Sequence, residues 1–195
     1  MKKQEMVIVL KDPKQEELLE NPSYSRIIGI LRKGELNVKE IHRLFNENYE
    51  EKKTLTSIYR YMEKLLENGL VFVSREEIKK KHIIEKYYSR TAMFFLFEKE
   101  RFKKNVVNAT LELFQQIYNV DKENRKELEK LFHEHGKNMS KREVDFFKEH
   151  GKEILGLEKK YGFKAAKNAT YTFIELLYFR ENSELLERIF KILEG

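Results

Sequence analysis

The feature that most constrains this chain is a single change of apolar period at Asn68-Gly69. Before it, apolar residues recur at helical spacing in three runs. Tyr24, Ile27, Ile28 and Leu31 form the first, which Ser23 can cap and Gly34 closes, with Arg32 and Lys33 in its last turn. Val38, Ile41, Leu44 and Phe45 form the second, with Asn37 as its cap. Asn46 to Lys53 is polar and without period, and reads as a turn. The third run opens at Lys53 or Thr54 and buries Ile58, Met62, Leu65 and Leu66. After Gly69 the period falls to two. Leu70, Phe72 and Ser74 alternate with Val71, Val73 and Arg75 among β-branched and aromatic residues. Glu76 to Lys81 are charged, and Ile83, Ile84, Tyr87 and Tyr88 form a second β-like run. The pair reads as a hairpin with a tip of several residues.

Helix, helix, turn, helix, hairpin within about 70 residues is the order of a winged helix-turn-helix. The major groove of DNA accepts one helix, whose exposed N-terminal end must carry polar groups over an apolar back. With Ile58 and Met62 buried, Lys53, Thr54, Leu55, Thr56, Ser57, Tyr59 and Arg60 are the candidate DNA contacts. The hydroxyls suit bases or phosphates, Leu55 suits a thymine methyl, and Arg60 can fork onto guanine or phosphate. At the hairpin tip Lys79, Lys80, Lys81 and His82 suit phosphate or minor-groove contact. Plainer roles exist for both sets: Thr and Ser also cap helices, and lysines also simply solvate loops. The net charge of +6 permits nucleic-acid binding without demanding it. Its placement is more telling, because residues 52–60 hold Lys52, Lys53 and Arg60 without an acid. Residues 78–90 set Lys79, Lys80, Lys81, Lys86 and Arg90 against Glu85 alone.

Thr91 to Phe97 is an apolar stretch that fits either a strand or a helix start. Beyond it the pattern is helical. The expected helices are 99–118, with Phe102, Val106, Ala109, Leu113, Phe114 and Ile117 on one side, then 122–160 broken near Gly136 or Gly151, 163–180 and 183–194. The fold class is therefore mainly α with a small β-hairpin: a winged helix-turn-helix over 1–98, then a helical dimerisation region over 99–195. Tyr171 to Arg180 is apolar almost all round, so it is central to a core or buried in a partner. The many aromatic residues of this half suit a core and dimer interface, or a pocket for an apolar small-molecule effector. His133 and His135 point about 200° apart on a helix, a poor arrangement for one metal ion, so they and His150 read as surface residues. Cysteine is absent, which removes disulfides, thiolate metal sites and cysteine nucleophiles. With no Gly-rich phosphate loop or nucleophile elbow either, an enzyme is not expected, nor any cofactor. No apolar run suits a membrane span and no secretory signal is visible, which reads as a cytoplasmic protein. Charged residues at 37% with only two prolines fit a very helical chain, a heat-adapted one, or both.

The stretch Tyr24 to Ala92 resembles ArsR-type winged helix regulators, most closely their archaeal branch. The resemblance lies in Val38-Lys39-Glu40-Ile41-His42-Arg43-Leu44, in Thr54 to Arg60 and in Glu63-Lys64-Leu65-Leu66-Glu67-Asn68-Gly69-Leu70-Val71. Most telling is Glu85-Lys86-Tyr87-Tyr88-Ser89-Arg90-Thr91-Ala92, similar to the tyrosine-rich second wing strand of archaeal members. It implies a homodimer on a two-fold symmetric operator of double-stranded DNA, repressing until a signal releases it. Metal-sensing members use cysteine pairs, or Asp and His on the last helix; without cysteine a thiolate site is excluded. The turn Asn46 to Lys53 is longer and more charged than usual there. The expected function is thus a homodimeric DNA-binding transcriptional regulator. The alternatives are a winged helix serving as a protein-interaction module, and an enzyme built on His133, Glu134 and His135.

Overall fold

The computed structural model describes residues 3–79, 83–97 and 103–194, and shows a mainly helical chain with two small sheets. The chain divides into two compact units, Met1–Phe97 and Glu98–Gly195.

The first unit begins with strand β1 (Glu5–Leu10) and helices α1 (Pro13–Glu20) and α2 (Pro22–Ile30). Neither β1 nor α1 was expected from local pattern. Asn21, not Ser23, caps α2: its side chain accepts from the Ser23 amide, and Pro22 takes the first helical position. A 3-10 turn (Leu31–Lys33) ends at Gly34, whose φ of 126° favours glycine. Strand β2 (Leu36–Asn37) leads into α3 (Val38–Asn46), which starts in a capping box. The Glu40 amide donates to Asn37 Oδ1 at 2.9 Å and the Asn37 amide donates to Glu40 Oε2 at 2.9 Å. Helix α4 (Leu55–Glu67) follows, and closes where the Leu70 amide donates to Leu65 O and the Gly69 amide to Leu66 O, with Gly69 at positive φ. Ile27, Ile41, Phe45, Ile58 and Leu65 are fully buried together beneath these helices.

Strands β3 (Val71–Ile78) and β4 (Ile84–Arg90) pair antiparallel, and β2 adds to the free edge of β4. β3 runs further than expected: Glu76, Glu77 and Ile78 belong to the ladder rather than to the tip. Its simple alternation also fails, because the register shifts between Val73 and Arg75. That bulge sends Arg75 to the face opposite Val73. Strand β5 (Ala92–Phe97) settles the ambiguous apolar stretch: it lies parallel to β1, from Glu5 opposite Ala92 to Leu10 opposite Phe97. Ala92, Phe94 and Leu96 alternate inward, which is why this run is a strand.

The second unit is α5 (Lys104–Tyr118), α6 (Lys122–Glu149), α7 (Gly151–Tyr161), α8 (Phe163–Glu181) and α9 (Ser183–Glu194). α6 passes Gly136 unbroken and ends at His150, just before Gly151. Val107, Leu111, Leu128, Leu131, Ile189 and Leu193 form one core. The expected inner face of α5 is out of phase: Val107 and Leu111 are buried, whereas Leu113 and Ile117 are exposed. Phe102 lies outside the described residues. α8 is one-sided as well, burying Thr170, Ile174 and Tyr178 while leaving Phe173, Leu176 and Phe179 exposed. Its apolar surround is therefore divided, one side in the core of the unit and the other exposed. Among the described residues no helix is long and apolar enough to cross a membrane.

Burial, helped by Glu143, pushes the Tyr171 phenol up to about 12, and burial with Glu134 does the same for Tyr178. An unfolded tyrosine ionises near 10. Between those values the folded state holds more protons, so stability must fall as pH rises across that window. Alkaline titration followed by circular dichroism should show helix lost between about pH 10 and 12, and Tyr171→Phe should remove part of that slope. A stability flat across that range would contradict the burial of both phenols.

Candidate nucleic-acid interface

The start of α4 is fixed by main-chain bonds made before its first turn. The Lys53 amide donates to Asn46 Oδ1 at 2.8 Å, and Asn46 Nδ2 donates back to Lys53 O at 2.9 Å. His42 Nε2 lies 3.0 Å from Lys53 O and 3.0 Å from Asn46 Nδ2. A protonated Nε2 donates to the carbonyl, and a bare one accepts from the amide, so either tautomer closes the latch. Arg26 secures the other side of the turn. Its Nε donates to Phe45 O and its Nη2 to Glu47 O, both at 2.8 Å, while its guanidinium lies 4.3 Å from the Tyr49 ring centre. The long connection between α3 and α4 is thus held at both ends by polar side chains that local sequence pattern did not single out.

The expected contact residues divide into three groups. Thr54 is the N-cap, its Oγ1 accepting from the Ser57 amide at 3.1 Å and lying 2.9 Å from Ser57 Oγ, so both hydroxyls are engaged in the helix start. Leu55 is half-buried against the core rather than presented outward. Thr56, Tyr59 and Arg60 are exposed on one side of the first two turns of α4. The Arg60 side chain makes no hydrogen bond or ion pair with any described residue, and neither does Lys39 at the start of α3. Lys53 is held by Glu51 at 3.2 Å, whose hydrogen bond is the main cause that raises the lysine's pKa. Glu51 immediately precedes the acid-free run 52–60.

The hairpin corrects the charge reading further. Lys79 pairs with Glu77 at 2.6 Å and Glu85 at 3.7 Å, and Lys86 with Glu76 at 3.7 Å across the strands. Arg90 is buried and donates to Met93 O at 3.1 Å, so it serves the fold. Lys80, Lys81 and His82 lie outside the described residues. Arg75 hydrogen-bonds Glu35 and Glu77 and lies over the Tyr87 ring, its guanidinium 3.5 Å from the centre. That bond from Arg75 is the largest cause holding the Glu35 carboxyl below its usual range.

Between the start of α3, Tyr59 and the inner face of β4 lies a groove of about 540 Å³. Lys39, Tyr59, Ile84, Lys86 and Tyr88 are among its walls. Burial is the first cause that raises the Tyr88 pKa, followed by the nearby Tyr59 and Glu76. Lys39 and Lys86 were not among the expected contacts; Lys39 sits two residues past the Asn37 cap, a position sequence could have offered. In the second unit His135 Nδ1 meets the Tyr178 hydroxyl at 3.0 Å. Among the described residues, no group of three or more His, Asp or Glu is arranged to hold a metal ion.

No protein-family model matches the chain, and no curated protein does. Among solved structures, Bacillus subtilis PadR in complex with operator DNA is similar at 16% identity, over 88% of this chain and 99% of that one, with a TM-score of 0.33. A likeness this slight decides nothing about fold or function.

Replacing Asn46 by Ala removes both bonds to the Lys53 backbone. The cost should be about 1–3 kcal/mol in urea unfolding, with faster amide exchange at Lys53. Unchanged exchange there would mean that the start of α4 does not depend on the latch.

Proposed function

We propose that the first unit is a winged helix-turn-helix that binds duplex DNA, and that the chain acts as a homodimeric transcriptional regulator. The observation that carries the reading is the outer face of α4. Its first two turns present Thr56, Tyr59 and Arg60, the last with no described partner, over a back wholly committed to the core. A guanidinium so placed can fork onto the edge of guanine. Lys53, Thr54 and Ser57 are assigned to shaping the helix start, and Leu55 to the core beneath it.

The dimer rests on the second unit. Leu113, Ile117, Phe173, Leu176, Phe179 and Phe190 are all exposed. Exposed apolar residues on α5, α8 and α9 suit a contact with another macromolecule, and a second copy is the simplest partner for a regulator on a two-fold symmetric site. The alternative, a protein-interaction module, is favoured by the exposed isoleucines of the hairpin.

Two tests separate these readings. Fragments selected from a random pool should share a two-fold symmetric site, with affinity falling steeply as salt rises. Arg60→Ala should weaken that site by about 1–3 kcal/mol and leave random duplex nearly unaffected. Binding no tighter than to random duplex would favour the protein-interaction reading. Separately, Leu176→Glu should convert a sedimenting dimer to monomer with its helix content kept. A wild-type chain that is monomeric at micromolar concentration would end the dimer reading.

A further inference from the structure

We infer that one sugar–phosphate strand of duplex DNA lies in the groove between Lys39, Tyr59 and the inner face of the hairpin, with Ile84 and Ile78 against its deoxyribose units. This rests on the DNA-binding reading and names the surface, and the orientation, through which the wing would contribute.

The bulge at Ser74 makes the two faces of the hairpin chemically unlike. Beyond it, Arg75 and Glu77 share a face with Tyr87, whereas Glu76 and Ile78 share the other with Lys86 and Ile84. On the outer face Glu35, Glu77 and Glu85 surround Arg75 and Lys79, three carboxylates against two cations. Tyr87 donates into the same network, to Glu77 and Glu85 at 3.3 Å. A phosphate arriving there meets excess negative charge and finds both cations engaged.

The inner face offers the opposite. Lys39 has no described partner, and Lys86 is held only by Glu76 at 3.7 Å, with both side chains about half exposed. An exposed pair of that kind is weak and exchanges readily for a phosphate. Tyr59 is 50% exposed at the groove's edge and brings a hydroxyl and a ring. Further out, Ile78 and Ile84 stand directly opposite in the ladder, 78% and 56% exposed. Lys79 and Glu85, paired at 3.7 Å, reach from the outer network to the rim of this groove as well and add no net charge to it. A nucleic-acid strand alternates charged phosphate with the apolar edge of its sugar. Lysines beside bare isoleucines match that alternation, whereas an apolar protein partner would bury Lys39 and Lys86 without compensation.

The test uses the full chain with two probes: a duplex selected by the wild-type protein from a random pool, and a random duplex of equal length. Lys39→Ala should weaken both by about threefold to tenfold and reduce the salt slope by about one. Ile84→Glu should weaken both by about tenfold or more, and Ile84→Ala, which adds no charge, by about threefold. Glu77→Gln on the outer face should stay within about twofold of wild type. Ile84 is exposed, so thermal melting should be unchanged in its variants. If the inner-face variants bind as wild type while Arg60→Ala still weakens the selected duplex, the strand runs elsewhere and the inference fails alone. A larger effect from Glu77→Gln than from Ile84→Glu would place the strand on the outer face. A wild-type chain that binds neither duplex removes the DNA-binding reading itself, and a chain that instead loses a captured protein on Ile84→Glu identifies the hairpin as a protein contact.

Discussion

Everything the first unit presents outward depends on how α4 is buried. Ile58, Met62 and Leu65 are almost completely enclosed, against Ile27, Ile41 and Phe45. Removing side chains of that size from water contributes roughly 1.5–3 kcal/mol each. No surface contact competes with this, so the apolar face sets the rotation of the helix and the polar face follows. Thr56, Tyr59 and Arg60 are outward because Ile58 and Met62 are inward. Rotation alone would still allow the helix to begin a turn early or late. The Thr54 cap and the bracket of Asn46 and His42 on the Lys53 backbone remove that freedom. Hydrophobic burial supplies most of the stability, and a few hydrogen bonds supply the register.

The ion pairs of the hairpin play a different part. Exposed pairs are worth only about 0–1 kcal/mol each, so Lys79–Glu77 and Lys86–Glu76 do little to hold the strands together. Their effect is on the field around the wing. A count along the chain credits it with a run of cations, yet in three dimensions each described cation of β3 and β4 has a carboxylate beside it or, for Arg90, is buried. On the helices that flank the hairpin, Lys39 and Arg60 carry charge with no described partner. A nucleic-acid contact made through this surface therefore leans on the helices for charge and on the hairpin for shape.

What the sequence made legible was local. Caps at Asn37 and Thr54, the stop at Asn68-Gly69 and the change to period two each draw on residues within a few positions, and each is found where the local chemistry puts it. What it hid was non-local. Met6 to Leu10 is a strand only because Ala92 to Phe97 lies alongside, more than 80 residues later, and nothing within the patch signals that partner. The Ser74 bulge flips a face without any glycine to announce it. The acids that cancel the basic runs, Glu51, Glu76 and Glu77, lie just before them in the chain, and Glu76 reaches its lysine across the ladder. Asn46 is an unremarkable polar residue until the chain returns seven residues later to be gripped by it.

The second unit shows the same principle inverted. Periodicity on α5 pointed to Val106, Leu113 and Ile117 as a buried face, and the described chain buries Val107 and Leu111 instead. Apolar residues occupy both sides of the helix, and a five-helix unit covers one. α8 repeats the situation, with Ile174 and Tyr178 enclosed and Phe173, Leu176 and Phe179 left to water. A sequence under no demand beyond folding one chain would place lysines and glutamates there, as α6 does along most of its outer length. Three large apolar side chains at that spacing, each exposed over about half its surface or more, cost more in water than a charged face would. Their retention is intelligible if the surface is covered in the working molecule, and the two-fold symmetric dimer proposed for this chain covers it with the same residues from a second copy.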